Sequence, residues 1–145
     1  MKKFCQLILR SKNIEYKEDI KLIIQTDQIW MLDQKNINIQ VIFQNISQES
    51  YKLVEPSSYQ TPLLFQIINK LTKEPLRYIG PKLKANYVNY NLMGGKQKTF
   101  VILISDDGDL LYNLNRGTFT IQAFYYHPYV DRIKIASNII DVDIL

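Results

Sequence analysis

Residues 36–45 read NINIQVIFQN, and their alternation decides the fold. Ile37, Ile39, Val41 and Phe43 fall on every second position. Asn36, Asn38, Gln40 and Gln44 lie between them, and Ile42 is the one exception. Successive side chains of a β-strand point to opposite faces, so this stretch is a half-buried strand with one apolar and one amide-bearing face. The polar cluster that follows, Asn45-Ile46-Ser47-Gln48-Glu49-Ser50, is a turn.

Working outward, other runs have the same character. Upstream, residues 20–26 (IKLIIQT) form a strand, and 27–35 are a connection that carries Trp30. Downstream, short strands are expected at 50–54 and 63–69 (LLFQIIN), with a turn at 70–75 and a short return strand at 76–79. Residues 98–105 (KTFVILIS) are nearly continuous in apolar side chains, the pattern of a strand buried on both faces. In 118–126 (TFTIQAFYY), Phe119, Ile121, Ala123 and Tyr125 share one face. Residues 133–144 are irregular at Ala136-Ser137 and then alternate through Ile140, Val142 and Ile144. About seven to nine short strands with turn signals at roughly 8–15-residue spacing indicate an all-β, immunoglobulin-like antiparallel β-sandwich.

The 145 residues are one domain's worth, with 1–19 as an N-terminal segment and 20–145 as the sandwich. Hydrophobic residues make up 46% and charged residues 22%, which is ordinary for a soluble globular chain. The net charge of +4 comes from dispersed lysines and arginines, with no basic run longer than two, so nucleic acid is not an expected partner. Lys2 and Lys3 precede a short apolar run, but no small-residue cleavage site follows, so a signal peptide is not expected. No apolar stretch reaches the roughly 20 residues that span a bilayer, so no membrane partner is expected and the chain is read as cytoplasmic. Cys5 is the single cysteine, and its apolar surroundings read as a small buried hydrophobe.

Candidate chemistry is sparse. His127 is the one histidine, it precedes Pro128 among aromatics, and no H-E-x-x-H motif accompanies it. Asp106-Asp107-Gly108-Asp109 does not follow the calcium-loop pattern and reads as a tight turn. Gly94-Gly95-Lys96 lacks the spacing of a phosphate loop and reads as hairpin chemistry. The expectation is therefore a non-enzyme with no catalytic residue, no metal and no cofactor. The aromatic run Phe124-Tyr125-Tyr126-His127-Pro128-Tyr129 has two readings. Tyr125, Tyr126 and Tyr129 form a partner-binding patch, or the run caps one end of the core.

Several segments, taken in order, carry a family resemblance. They are the strand ending in Phe43-Gln44-Asn45-Ile46-Ser47, then Thr61-Pro62-Leu63, then Tyr78-Ile79-Gly80-Pro81-Lys82. Next come Tyr90-Asn91-Leu92-Met93-Gly94-Gly95, and last Tyr112-Asn113-Leu114 ahead of Gly117-Thr118-Phe119-Thr120. This order resembles the N-terminal β-sandwich domain that precedes the catalytic domain in bacterial deuterolysin-like (aspzincin) lysine-specific metalloendopeptidases. The likeness covers about residues 20–144. Phe119 stands where that pattern has Tyr, and Asn113-Leu114-Asn115-Arg116 lacks its Pro. The zinc ligands of such enzymes lie in their second domain, so no catalytic residue carries over. The resemblance implies a free-standing pro-domain-like protein that binds and inhibits a cognate metallopeptidase, as an immunity partner or inhibitor. Lys82 and Lys84, after Gly80-Pro81, are then the candidate contacts with a lysine-preferring cleft. The alternative is an immunoglobulin-like interaction or adhesion module that binds through Tyr125, Tyr126 and Tyr129.

Overall fold

The computed structural model describes residues 19–59, 62–82, 87–129 and 134–145, so Cys5, Thr61 and Lys84 lie outside the described residues. Ten strands follow in order: β1 Ile20–Gln25, β2 Ile29–Trp30, β3 Ile37–Asn45, β4 Tyr51–Val54, β5 Leu63–Asn69, β6 Asn89–Leu92, β7 Gln97–Asp106, β8 Asp109–Leu110, β9 Gly117–Tyr126 and β10 Lys134–Ile144. One face of the sandwich is β1-β3-β7, with β8 at its edge. The other is β5-β9-β10, with β2 beside β10. A separate β4-β6 pair completes the structure. The two faces are one curled sheet, because β1 and β10 meet in parallel at Leu22 and Ser137. The architecture is the all-β sandwich expected from the alternation.

The alternation in β3 is the physical origin of the core. Ile37, Ile39, Val41 and Phe43 are fully buried, while Asn38 and Gln40 face solvent. Phe119, Ile121, Ala123 and Tyr125 of β9 meet them from the opposite sheet, all at 0% exposure. Burying each such aliphatic or aromatic side chain stabilises the fold by roughly 1.5–3 kcal/mol relative to exposure. Trp30, in the segment read from sequence as a plain connection, belongs to the short strand β2 and is also buried. Its indole N–H donates to Thr26 Oγ1 at 3.1 Å, which satisfies the one polar atom it carries inside.

The irregularity at Ala136-Ser137 is a β-bulge in β10, between Ala136 and Ile139. Ser137 Oγ accepts the N–H of Ala123 at 2.8 Å, and the Ser137 carbonyl accepts Gln122 Nε2 at 3.0 Å. Asn138 turns the other way. Its Oδ1 accepts the Ile24 N–H at 2.8 Å and its Nδ2 donates to the Ile24 carbonyl at 3.1 Å. One amide side chain thus takes the place of a strand partner for Ile24.

The turns follow their residue chemistry. Asp107 and Gly108 both have positive φ and link the paired residues Asp106 and Asp109, the two-residue hairpin that Asp-Gly favours. Gly94 and Gly95 do not close a hairpin, because β6 pairs with β4 while β7 pairs with β3. They pass the chain from one sheet to another. A Cβ on Gly94 would lie 2.5 Å from the Gln48 backbone, so only glycine fits there. Asn45, buried at the end of β3, fastens this corner. Its Nδ2 donates to the carbonyls of Glu49 and Leu92, and its Oδ1 accepts from the N–H and hydroxyl of Ser47.

Two sequence expectations change. Residues 76–79 make no strand ladder among the described residues. Isolated bridges at Pro75 and Tyr78 stand there instead, since proline withholds a ladder N–H. The apolar run in β7 is not covered on both faces. β7 is an edge strand, paired with β3 along its length but with β8 only at Ser105 and Asp106. Its inner side chains Ile102 and Ile104 are buried, while Val101 on the outer face is 56% exposed. The register sets that outer face in rows: Lys21, Gln44 and Gln97; Ile23, Ile42 and Thr99; Gln25, Gln40 and Val101.

Asn45→Ala is expected to cost about 1–3 kcal/mol, because the buried Leu92 carbonyl and the part-buried Glu49 carbonyl lose their donor. The urea midpoint falls while the slope stays that of the wild type. Gly94→Ala is expected to lower the same midpoint, by forcing the two turns apart.

Candidate functional site

The aromatic run at the end of β9 divides by strand geometry. Tyr125 points inward and is fully buried, so it is not a surface contact. This corrects its place in the expected binding patch. Its ring meets Phe43 of the opposite sheet edge-on at 5.3 Å, and its hydroxyl accepts the N–H of Val54 at 3.0 Å. Tyr125 therefore fastens β4 to the core. Phe43, Tyr90 and Phe100 continue the same tier, with Phe43–Phe100 at 6.0 Å and Tyr90–Phe100 at 5.4 Å. Lys98 covers the open side of this tier, its ammonium 5.6 Å from the Tyr90 ring and 5.8 Å from Phe100.

Tyr126 and Tyr129 do reach the surface, at 41% and 62% exposure. The Lys134 ammonium lies 5.5 Å from the Tyr126 ring and 5.0 Å from Phe124. Tyr129 packs edge-on against Tyr87 at 5.7 Å, and Val88 beside Tyr87 is exposed as well. His127 sits at the base of this group. Its Nε2 is 3.1 Å from the Lys52 carbonyl, and its Nδ1 is 3.2 Å from the Tyr129 N–H. A carbonyl only accepts and a backbone N–H only donates. The two contacts therefore fit a ring that donates from Nε2 and accepts at Nδ1. The ring ties the loop after β9 to β4 and sets the direction of Tyr129. Sequence reading left His127 as a bystander, because neither contact is visible without the fold.

Lys82 is exposed, as expected, and Lys84 lies outside the described residues. The segment leading to Lys82 is braced. Tyr78 Oη donates to the Pro81 carbonyl at 2.6 Å, and the N–H groups of Ile79 and Gly80 both donate to the Leu111 carbonyl. Gly80 is packed so closely that an added Cβ would lie 2.6 Å from the Tyr78 hydroxyl and 2.8 Å from Leu111. Lys82 and the tyrosine group sit on separate, independently braced segments.

Among the described residues, no three His, Cys, Asp or Glu side chains gather in a way that could hold a metal ion. No described helix is long and apolar enough to cross a membrane. A concavity of about 490 Å³ lies elsewhere, between the end of β1 and β10, lined by Gln25, Thr26 and Asp141 among others.

No protein-family model matches the chain, and no curated protein matches it. Among solved structures it is similar to a β-glucosidase from Listeria innocua, at 15% identity and a TM-score of 0.48, over 86% of this chain and 16% of that one. A β-glucosidase from Erythrobacter marinus gives 12% identity and a TM-score of 0.45, over 87% of this chain and 15% of that one. A CARDB domain from Pyrococcus furiosus, in complex with di-metal ions, gives 9% identity and a TM-score of 0.44, over 87% and 92% of the two chains. At these scores the likeness carries no argument about function, and the chain spans only about one sixth of either β-glucosidase.

Three phenols are held above the ordinary tyrosine range. At Tyr90 burial dominates, with the Tyr125 hydroxyl and the Glu55 carboxylate adding to it. At Tyr51 burial is joined by a hydrogen bond to Asp19, and at Tyr78 burial is joined by Tyr59. Each folded-state value lies above the unfolded one, so the associated stability is complete below about pH 10 and declines as pH rises beyond it. The Tyr90 hydroxyl is buried with no hydrogen-bond partner among the described residues. Tyr90→Phe is therefore expected to be neutral or to stabilise by up to about 1 kcal/mol, and to make the alkaline decline shallower. Tyr125→Phe is expected to cost about 1–3 kcal/mol, because the buried Val54 N–H loses its acceptor. Urea titrations near pH 7 and near pH 11 read both effects.

Proposed function

We propose that the chain is a non-enzymatic protein-binding module of immunoglobulin-like build, and that its contact surface is the aromatic end formed by Tyr126, Tyr129 and Tyr87. The observation that carries this reading is the fixed geometry of Tyr129. Its backbone is held by His127, its ring packs on Tyr87, and its side chain is still 62% exposed. Tyrosine offers large contact area with few rotatable bonds, so a pre-set tyrosine loses little entropy on binding. Such side chains dominate the energetics of many protein interfaces.

A second reading is favoured by the braced segment before Lys82. In it the module binds a cognate metallopeptidase of the aspzincin type and blocks its cleft, as an immunity protein or pro-domain-like inhibitor. Support comes from an exposed lysine following backbone that is already ordered by Tyr78 and Leu111, the form in which a loop enters a cleft at low entropic cost.

The two readings separate by mutation. If the aromatic end is the contact, Tyr126→Ala and Tyr129→Ala each weaken binding to the captured partner by roughly 30-fold or more, while Lys82→Ala has no effect. If the peptidase reading holds, excess wild-type protein suppresses an aspzincin peptidase and Lys82→Ala relieves the suppression. Full peptidase activity in the presence of excess protein rejects the second reading. Unchanged binding in both tyrosine variants rejects the first.

A further inference from the structure

The outer face of the β1-β3-β7 sheet has an unusual makeup for a chain that carries 32 charged residues, 18 basic and 14 acidic. Lys21 is the one charged side chain among its described outward positions in the three rows set by the register. Apolar Ile23 and Ile42 lie half-buried at its middle, and Val101 is exposed at its edge. Around them stand amides that already bond to one another across strands, Gln25 Nε2 to Gln40 Oε1 at 2.5 Å and Gln44 Nε2 to Gln97 Oε1 at 3.1 Å. Charge depletion around an apolar centre is the composition that marks the middle of protein interfaces.

The same features identify the occupant. Each side-chain amide carries both a donor and an acceptor, so a face built of amides is complementary to itself. A face rich in like charges would add repulsion between copies of a chain of net charge +4, and these rows carry only Lys21. We propose that two copies of this chain pack these outer faces together across a two-fold axis, with Ile42 near its centre. A two-fold contact uses the same patch on both subunits, which is what a self-complementary surface supplies. None of the three rows contains Tyr126, Tyr129 or Lys82.

The size of the face sets the strength. Three strands about 4.8 Å apart, along a central strand rising about 3.3 Å per residue, give a face of roughly 14 by 30 Å. Two such faces bury roughly 840 Å², below the usual range for specific stable interfaces, so the dimer is expected to be weak and concentration-dependent.

Sedimentation of the full chain from about 5 μM to 1 mM is expected to show a mass rising toward that of a dimer. Ile42→Glu and Ile42→Lys, each confirmed as folded by circular dichroism, are expected to stay monomeric throughout, and their equimolar mixture to associate again. The pair Gln40→Glu and Gln40→Lys, at an exposed position, repeats the comparison without touching a half-buried side chain. A wild type that is monomeric at about 1 mM overturns the proposal, even if this face binds some other protein. It is overturned equally by single variants that dimerise like the wild type, which is the result an edge-to-edge pairing through β7 would give. A mixture that fails to associate rejects the two-fold placement.

Discussion

β10 lies inside the curled sheet and has a neighbour on each edge. Along most of its length it pairs antiparallel with β9, and near Ser137 it also meets β1 in parallel. A regular interior strand would extend a ladder along both edges, but the ladder with β1 is the single pair Leu22 and Ser137. The bulge at Ser137-Asn138 extends that junction by giving its two side chains different partners. Ser137 stays with β9 through Ala123, and Asn138 reaches Ile24 of β1. The curl that brings Phe43 against Tyr125 follows from this junction, since β3 hangs from β1 and β9 from β10.

The three buried polar residues share a logic. Asn45, Ser105 and Ser137 are the buried polar side chains among the described residues. Each stands where a ladder ends or shifts. Asn45 closes β3 against the turn before β7. Ser105 Oγ accepts the Ile37 N–H at the register shift between β3 and β7. Ser137 holds the bulge. Burying a polar atom is costly unless it is bonded, and at these points the backbone has groups that lack ladder partners. The core thus leaves the aromatic end rigid: Tyr125 ties β4 to the core, and His127 ties the loop after β9 to β4.

The strands were legible because period two is a local property. Residues 36–45 and 118–126 gave the inward faces of β3 and β9 correctly, Tyr125 included. Assigning Tyr125 to a surface patch contradicted that same alternation, and the buried ring follows the alternation. The irregularity at Ala136-Ser137 was visible, but the role of Asn138 was not, since its partner is more than a hundred residues away in sequence. Trp30 in β2 was missed because a two-residue strand has too few positions to show a period. The run at 98–105 misled for a physical reason. An apolar outer face reads the same whether another layer covers it or it lies bare. At the site, Tyr126, Tyr129 and Lys82 were legible as exposed, whereas the bracing by His127 and by Tyr78 depends on distant carbonyls and has no sequence signal.

The junction between the sheets is tested most directly at one amide. The Ile24 N–H takes its partner from a side chain, so native-state hydrogen exchange of Ile24 in wild type and in Asn138→Ala isolates that bond. The account expects Ile24 to be protected in the wild type and its exchange to accelerate by about tenfold or more in the variant, in keeping with the loss of a hydrogen bond of about 1–2 kcal/mol. Equal protection of Ile24 in the two proteins would contradict it, and β1 would then be held to β10 by something other than Asn138.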